Sequence, residues 1–146
     1  MEAIQSGDWP STMPPPGIER YGRSRHYEAL CGWWIGHGQE PEPEWALPGD
    51  GRPGIGLVVP NLAAGFMYYT GTRIALLHEF VSNPEAPGKL TSPALDALIL
   101  ELERQARFDG IDHLAAWTKH PAIVSRGRRL GWRVSGRDWI LGKVLT

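Results

Sequence analysis

The sequence predicts a mixed α/β domain with a mostly antiparallel sheet and helices on both faces. Three apolar segments, residues 55–59, 62–70 and 74–81, are separated by turn residues, which is typical of an antiparallel meander. A helical pattern follows over residues 92–110, and another apolar strand follows at 111–118. Because a helix connects them, the strands at 74–81 and 111–118 should run parallel to each other.

Length and composition favour one domain preceded by an arm. At 146 residues the chain is long enough for a hydrophobic core, and residues 18–146 most simply form one domain. Residues 1–17 contain Trp9-Pro10 and three consecutive prolines at 14–16, a composition that suits neither a central strand nor a helix. We predict an extended arm, which is either a free tail or a segment laid over the surface of the domain.

The charge and the cysteine content exclude several classes of protein. A formal net charge of -1 gives no reason to expect membrane or general nucleic-acid binding. Cys31 is the single cysteine, so an internal disulfide is excluded, and a reducing compartment fits. The sequence shows neither an apolar run of membrane-spanning length nor a signal-peptide pattern, and no metal-ligand spacing. We therefore expect a soluble, cytoplasmic protein without a metal.

The elements before the meander are a short strand and a helix. Alternation over residues 18–21 predicts the strand, and Ser24 is a suitable N-cap for the helix. The buried stripe of this helix consists of Tyr27, Leu30, Cys31 and Trp34. Because Trp33 and Trp34 are adjacent, both cannot point inward, so one of them should lie at a surface or an interface. Residues 39–53 are rich in proline and glycine and predict a loop.

The elements after the meander complete the sheet. Ser92 is predicted to cap the long helix, with Pro93 at its first position and Gly110 at its C-terminal end. Residues 121–130 predict a short helix. Residues 132–145 predict a final strand, or a hairpin interrupted by a glycine.

The segment 74–110 carries the main functional signal. A buried strand that leads through a loop into a helix offers backbone amides to an anion. Glu79 interrupts the apolar strand and is our general-base candidate, since burial near a cleft suits a proton acceptor. The competing interpretation is a carboxylate paired with an arginine of the next strand. His78 is adjacent and should face the opposite side, so only one of the two residues should face a cleft.

Four short motifs follow one another along the chain. They are Ala64-Gly65-Phe66 in a strand, Val81-Ser82-Asn83-Pro84 after the core strand, Arg107-Phe108-Asp109-Gly110-Ile111 at the end of the long helix, and Leu130-Gly131-Trp132. Over about residues 18–145 this order resembles the GNAT (N-acetyltransferase) superfamily. More narrowly, residues 75–84 and 118–121 are similar to small GNAT-like proteins of tailed bacteriophages. The resemblance implies that the fourth and fifth strands, a parallel pair, splay apart.

The resemblance also implies that an acyl-CoA, with acetyl-CoA as the expected cofactor, lies between the splayed strands. At the matching positions, the amides of Phe80 and Val81 would hold the pantetheine arm and the thioester carbonyl. The pyrophosphate would lie on the amides of Gly88, Lys89, Leu90 and Thr91. This loop departs from the family pattern, because it has one glycine where two are usual, and Pro87 and Pro93 each lack a donor. The charge of Lys89 is a partial replacement.

The general acid of the family is missing here. Many members carry a tyrosine four residues before a Gly-Phe pair, and the matching position before Gly131 is Gly127. His120 and Ser125 are the candidates to replace it, directly or through water, and helix capping is the alternative role for His120. The arginines of the segment 126–129 form a basic cluster that could contact the 3′-phosphate of CoA, a nucleic acid or an acidic partner. The alternative is a helix face exposed to solvent.

Two functions follow from these observations. The first is a GNAT-type N-acyltransferase that transfers acetyl from acetyl-CoA to an amine, which is a small molecule or a protein. The alternative is a catalytically degenerate GNAT-fold binding or structural protein, either a phage virion component or a modulator of a host protein, and then located in the virion or the host cytoplasm. The Trp-rich surface and the N-terminal arm also suggest a protein partner or a homo-oligomer.

Overall fold

The computed structural model of the chain describes residues 15, 17–49, 53–118, 120–135 and 140–145. Nearly all of the arm predicted for residues 1–17 therefore lies outside the described residues. Of the helices in the described parts of the chain, none combines the length and the apolar character needed to cross a bilayer.

One sheet organises the described residues. Its strands are β1 (Glu19–Arg20), β2 (Gly54–Val59), β3 (Ala63–Tyr69), β4 (Ile74–Ser82), β5 (His113–Trp117), β6 (Arg133–Ser135) and β7 (Ile140–Val144). The helices are α1 (Arg23–Gly36), α2 (Gly88–Phe108) and α3 (Pro121–Arg129), with a short 3-10 helix at Glu44–Ala46. The strand order is β1-β2-β3-β4-β5-β7-β6.

The predicted strand directions are confirmed. β1 to β4 pair antiparallel in chain order, and β4 pairs parallel with β5, as the intervening α2 requires. The C-terminal segment forms the hairpin alternative, in which β7 lies antiparallel between β5 and β6. The sheet is therefore mixed, with one parallel pair near its middle.

Helices cover both faces of the sheet, as predicted. On one face, α2 places Ala94, Leu98, Leu102 and Ala106 in the larger apolar core. On the other face, α1 places Leu30 and Trp34 in a second core with Phe66 and Val81. Trp34 is buried, and Trp33 is partly buried and packs against the same core, so Trp33 is the ring nearer the surface.

The start of α1 differs from the prediction. Gly22, rather than Ser24, is the N-cap residue, and no side chain caps the helix from that position. Instead the backbone N–H of Gly22 donates to Nδ1 of His26 at 2.9 Å, and Nε2 of His26 lies 2.9 Å from Glu19. A side chain of the first turn thus reaches back to the cap backbone, which is the role that glutamate takes in a capping box.

The start of α2 also differs. The helix begins at Gly88 with Pro87 as its N-cap, so Ser92 and Pro93 lie inside it rather than at its first turn. Pro93 lacks the N–H that would bond to the carbonyl of Lys89, and near a helix end this loss is tolerated better than in mid-helix. The prediction failed because Ser-Pro is a strong local start signal, and nothing local shows that the loop before it also turns helical.

A buried ion pair joins α2 to the C-terminal hairpin. Glu103 is 2% exposed, and its carboxylate accepts hydrogen bonds from Trp132 Nε1 at 3.0 Å and from Lys143 Nζ at 3.0 Å. Lys143 Nζ also donates to the carbonyl of Leu130 at 2.8 Å. Because every member of the group is hydrogen-bonded, the charges are compensated inside the core.

Candidate functional site

The central strands β4 and β5 separate along their length. Their parallel pairing is confined to Ile74–Leu76 and His113–Ala115, matched as Ile74 with His113, Ala75 with Leu114 and Leu76 with Ala115. β4 continues to Ser82, while Ala116 and Trp117 of β5 pair only with β7. The splay expected from the family resemblance is therefore present, and it leaves one edge of β4 without a partner strand among the described residues.

A cavity of about 920 Å³ opens at this separation. Its walls come from both faces of the sheet, with α2 and α3 on one side and the C-terminal end of α1 on the other. The polar lining residues include His37, Gln39, His78, Glu79, Ser82, Thr118, His120 and Arg126. The apolar lining includes Phe80, Val81, Leu95, Ile99, Trp117, Ile123, Trp132 and Leu141. A deep apolar cleft with a few polar groups is typical of a small-molecule site.

A β-bulge in β4 shapes the cavity wall. The register with β3 shifts between Ala64 and Phe66, so that Glu79 and Phe80 together lie opposite the single residue Gly65. Glu79 has a φ of 59°, which is rare for a residue other than glycine and costs on the order of 1–3 kcal/mol. A Cβ atom at Gly65 would overlap the ring of Phe80, so only glycine lets that ring lie across β3.

The bulge brings His78 and Glu79 to the same side. We predicted that these neighbours would face opposite sides and that only one of them would reach a cleft. That prediction is wrong, because the left-handed backbone at Glu79 breaks the alternation of the strand. Both residues line the cavity, and Nδ1 of His78 contacts Oε1 of Glu79. The expected arginine partner of Glu79 is not found in the described part of the chain.

A second carboxyl group, Glu42, lies beside this pair. It belongs to the loop after α1, which is anchored where Tyr27 donates its hydroxyl to the Glu42 carbonyl at 2.5 Å. Partial burial raises the pKa of Glu42, and the charge and hydrogen bond of Glu79 raise it further. The hydrogen bond that His78 donates to Glu79 likewise raises the pKa of His78, although burial opposes it. Two carboxyl groups and one imidazole are therefore grouped at this wall of the cavity.

The N-terminus of α2 follows β4 through the loop 83–87 and contains the predicted phosphate donors, which are not among the described residues that line the cavity. Its first turn contains Lys89 and no acidic residue, and its N-cap is Pro87, which has no capping side chain. The amides of Leu90 and Thr91, predicted as anion donors, already bond to the Pro87 carbonyl at 2.9 and 3.1 Å. The amides of Gly88 and Lys89 come before them and have no acceptor inside the helix. The predicted set of four donors is thus reduced to two, with the charge of Lys89 beside them.

The backbone amides of the loop before α2 form hydrogen bonds within the loop. Asn83 accepts the N–H of Glu85 on its side-chain oxygen at 3.0 Å and the N–H of Ala86 on its carbonyl at 3.2 Å. These two amides are therefore unavailable to an anion in this conformation. The free amides of this segment are therefore those of the helix start rather than those of the loop.

The basic cluster at residues 126–129 mainly ties α3 to α2. Arg126 donates to Asp96 at 2.5 Å and to the carbonyl of Ser92 at 2.9 Å, and Arg129 donates to both oxygens of Asp96 at 2.9 Å. Burial is the largest single influence on Asp96 and would raise its pKa, but the two arginines together lower it. Arg126 still lines the cavity, whereas Arg128 is exposed.

The two candidate acids differ in position. His120 lines the cavity at the N-cap of α3 and makes no side-chain cap, so the helix-capping alternative is not supported. Its backbone N–H donates to Thr118 Oγ1 at 3.1 Å. Ser125 is exposed on α3 and is not among the described residues that line the cavity. His120 is therefore the better placed of the two.

Gly127 is buried and lines the cavity, where many GNAT proteins carry a tyrosine. A Cβ atom at this position would overlap Cδ2 of Leu141 and lie 3.6 Å from Cβ of Trp132. The missing tyrosine thus has a packing reason, since Leu141 of β7 occupies the space that its side chain would need.

Sequence reasoning missed the contribution of α1 and its loop to the site. His37 lies 2.8 Å from the carbonyl of Ser82 through Nε2, which fixes the end of α1 against the end of β4. Gly36 allows this approach, because a Cβ atom there would come within 2.6 Å of Pro84. The chain gives no local signal that His37, far from β4 in sequence, reaches the cavity, or that Glu42 reaches Glu79.

Comparison of the sequence with protein-family models gives no match, and comparison with curated proteins gives none either. The structure, in contrast, matches solved GNAT-family acetyltransferases. One from Staphylococcus aureus Mu50 gives a TM-score of 0.70 at 12% identity, over 88% of this chain and 98% of that one. A GCN5-related N-acetyltransferase from Kribbella flavida gives 0.67 at 16% identity, over 90% and 99%.

A third match adds a ligand. The Bacillus subtilis acetyltransferase, solved in complex with CoA, gives a TM-score of 0.67 at 13% identity, over 88% of this chain and 98% of that one. Likeness at these identities establishes the fold, and this chain has the mixed α/β GNAT fold with its splayed central strands. The narrower likeness to phage-encoded proteins stays a prediction, as does a partner at the Trp-rich surface.

Proposed function

We propose that the protein is a GNAT-type N-acyltransferase that binds an acyl-CoA, with acetyl-CoA as the expected donor, and transfers the acyl group to an amine. The observation that carries the proposal is the cavity at the splay of β4 and β5, whose wall includes Phe80 and Val81 on the unpaired edge of β4. The uncapped N-terminus of α2 follows β4 through the loop 83–87. Helix dipole and free amides favour a phosphate group at that end. The CoA complex of the Bacillus subtilis neighbour supports this use of the fold.

The cofactor would lie along the unpaired edge of β4. The backbone at Phe80 and Val81 would hold the pantetheine arm and the thioester carbonyl, since both residues line the cavity beyond the last β5 pair. Gly88 and Lys89 would hold the pyrophosphate through two amides and one charge. Leu90 and Thr91 would contribute by forming the first turn that exposes those amides.

The transfer would be direct, with the amine nitrogen attacking the thioester carbonyl. Proton removal from the amine falls to the His78–Glu79 pair, which lines the acceptor side of the cavity. With Gly127 in the tyrosine position, His120 is the group that would protonate the departing thiolate. Loss of a well-placed acid typically lowers a rate by about two to four decades, so slow turnover is expected if His120 replaces the tyrosine only in part.

Isothermal titration with acetyl-CoA tests the cofactor half of the proposal. Lys89→Glu reverses the charge at the N-terminus of α2 and should weaken binding about tenfold, the equivalent of roughly 1.4 kcal/mol. Arg107→Glu is the matched control, because it makes the same charge change in the last turn of the same helix. It should leave the affinity unchanged. Absence of heat with the wild-type protein, or equal losses in both variants, would overturn the proposal.

The degenerate alternative makes a different prediction in the same experiment. It is motivated by Gly127 and by the reduced donor set at the start of α2. A protein of that kind could bind acetyl-CoA, yet it would release no CoA thiol in the presence of any primary amine. Thiol release above the uncatalysed background, measured with the wild-type protein and an amine, therefore separates the two functions.

A further inference from the structure

The His78–Glu79 pair is arranged so that the two side chains have unequal access to the cavity. Glu79 lies within contact of His78 and of Glu42, and its side chain is 15% exposed. The His78 side chain is 52% exposed. The carboxylate is therefore largely enclosed by its partners, while the imidazole is the member of the pair that a ligand can reach.

The contact also fixes which imidazole nitrogen is free. Oε1 of Glu79 contacts Nδ1 of His78, and a carboxylate at this nitrogen favours the tautomer that carries its hydrogen there. Nε2 then has the lone pair, and it has no protein partner among the residues that the structure describes. A carboxylate that holds an imidazole in one tautomer, with the other nitrogen open, is a general arrangement for a histidine base.

We infer that His78 is the base that takes the proton of the acceptor amine at Nε2, and that Glu79 is a positioning residue. The inference rests on the proposed acyl transfer and names which member of the pair acts. The amine nitrogen forms a bond to the thioester carbonyl carbon, and the carbon–sulfur bond breaks with its electron pair leaving on sulfur. The amine proton passes to Nε2 and then to solvent, while the thiolate takes its proton from the His120 side of the cavity.

The surroundings suit a base that works near neutral pH. The titratable groups around His78 are Glu79 on its own strand, Glu42 from the loop after α1, and Tyr68 on β3. Across the cavity lie His37 at the end of α1 and His120 at the start of α3. The hydrogen bond that His78 donates to Glu79 raises the pKa of His78 above its ordinary 6.5 against the opposing effect of burial, and the charges of Glu79 and Glu42 raise it further.

The direction in which the rate changes with pH follows from the raised pKa of His78. A base must be neutral to act, so the rate should rise with pH through the raised pKa of His78. Glu79→Gln removes the carboxylate that raises this pKa, so the rising limb should move to lower pH while some activity remains. If Glu79 were itself the base, the same substitution would abolish the rate and leave no limb to shift.

The experiment measures thiol release from acetyl-CoA with tyramine in excess as the probe amine, across the pH range, for wild type, His78→Gln and Glu79→Gln. Proton NMR titration of the histidine rings is recorded on the same proteins, and acetyl-CoA affinity is measured by isothermal titration. We expect His78→Gln to lose about two or more decades of rate with unchanged acetyl-CoA affinity. Glu79→Gln should lower both the NMR pKa of His78 and the pH of the rising limb.

His113→Gln is the matched control. His113 also pairs with a neighbouring carboxylate, through Nδ1 at 2.8 Å from Asp112, but it lies outside the cavity lining. It should leave the rate profile unchanged. Full activity in His78→Gln, or complete loss in Glu79→Gln, overturns the inference alone. Failure of the wild-type protein to bind acetyl-CoA, or to release thiol above background, overturns the proposed function together with it.

Discussion

Replacing Glu79 by glycine and by alanine tests the backbone feature on which the site depends. At a φ of 59°, a residue with a Cβ atom pays about 1–2 kcal/mol that glycine avoids. In an ordinary strand the preference is reversed, because glycine loses more chain entropy and is less stable than alanine by about 0.5–1 kcal/mol. The difference predicts that Glu79→Gly is more stable than Glu79→Ala by roughly 0.5–1 kcal/mol.

The difference in unfolding free energy between Glu79→Gly and Glu79→Ala does not depend on the side-chain contacts of Glu79. Both variants lose the same contacts with His78 and Glu42, so only the backbone term remains between them. His78→Gly and His78→Ala form the control pair, since His78 is the preceding residue and is not among the described residues with positive φ. There alanine should be the more stable by about 0.5–1 kcal/mol.

The assay is urea unfolding of the four variants, followed by tryptophan fluorescence. The seven tryptophans give a strong signal, and the free energy of unfolding is compared at constant slope. If alanine is the more stable residue at both positions, the left-handed backbone at Glu79 is refuted. The bulge that brings His78 and Glu79 together would be refuted with it.

Three further predictions concern stability. Glu103→Ala should lower the free energy of unfolding by about 3–5 kcal/mol, because it leaves Lys143 charged and nearly buried; Lys143→Met in the same background should recover part of the loss in urea unfolding. Asp96→Asn should cost about 1–2 kcal/mol near neutral pH. Since the pKa of Asp96 is lowered in the folded protein, the difference in the free energy of unfolding between wild type and Asp96→Asn should shrink as the pH falls below 3.8. A difference that stays constant with pH would contradict this prediction. Gly127→Ala should cost about 1–3 kcal/mol by overlap with Leu141, and an unchanged midpoint would refute the packing argument.

Much of the fold could be predicted from local patterns. The apolar segments and turns gave the meander of β2, β3 and β4, and the helix between β4 and β5 required their parallel pairing. The helix starts were wrong, because Ser24 and Ser92 are good caps in isolation. Each helix begins earlier than predicted. The Gly22 N–H donates to the His26 side chain at the start of α1, and the amides of Leu90 and Thr91 donate to the Pro87 carbonyl at the start of α2. Neither start has a capping residue that could be recognised in the sequence.

The candidate site was predicted in part. β4 and His120 do line one cavity, and Glu79 lies in its wall. The predicted donors at the start of α2, Gly88, Lys89, Leu90 and Thr91, are not among the described residues that line it. The side chains of Leu90 and Ser125 are exposed, and Ser125 does not line the cavity. The contribution of His37 to the wall, and the position of Glu42 beside Glu79, were not foreseen, since these residues precede β4 by a long stretch of chain and carry no motif. Only the docking of α1 against the end of β4 brings them there.

The sequence by itself determined the order of elements, because hydrophobic periodicity and turn residues act between near neighbours in the chain. It also placed Gly127 where a tyrosine was expected. The tertiary structure alone decided that His78 and Glu79 share one side of β4. That outcome depends on a bulge opposite Gly65 and on the Phe80 ring crossing it, which are contacts between strands. A pairing of this kind has no local signature, because an unbroken strand and a bulged one can have the same sequence pattern.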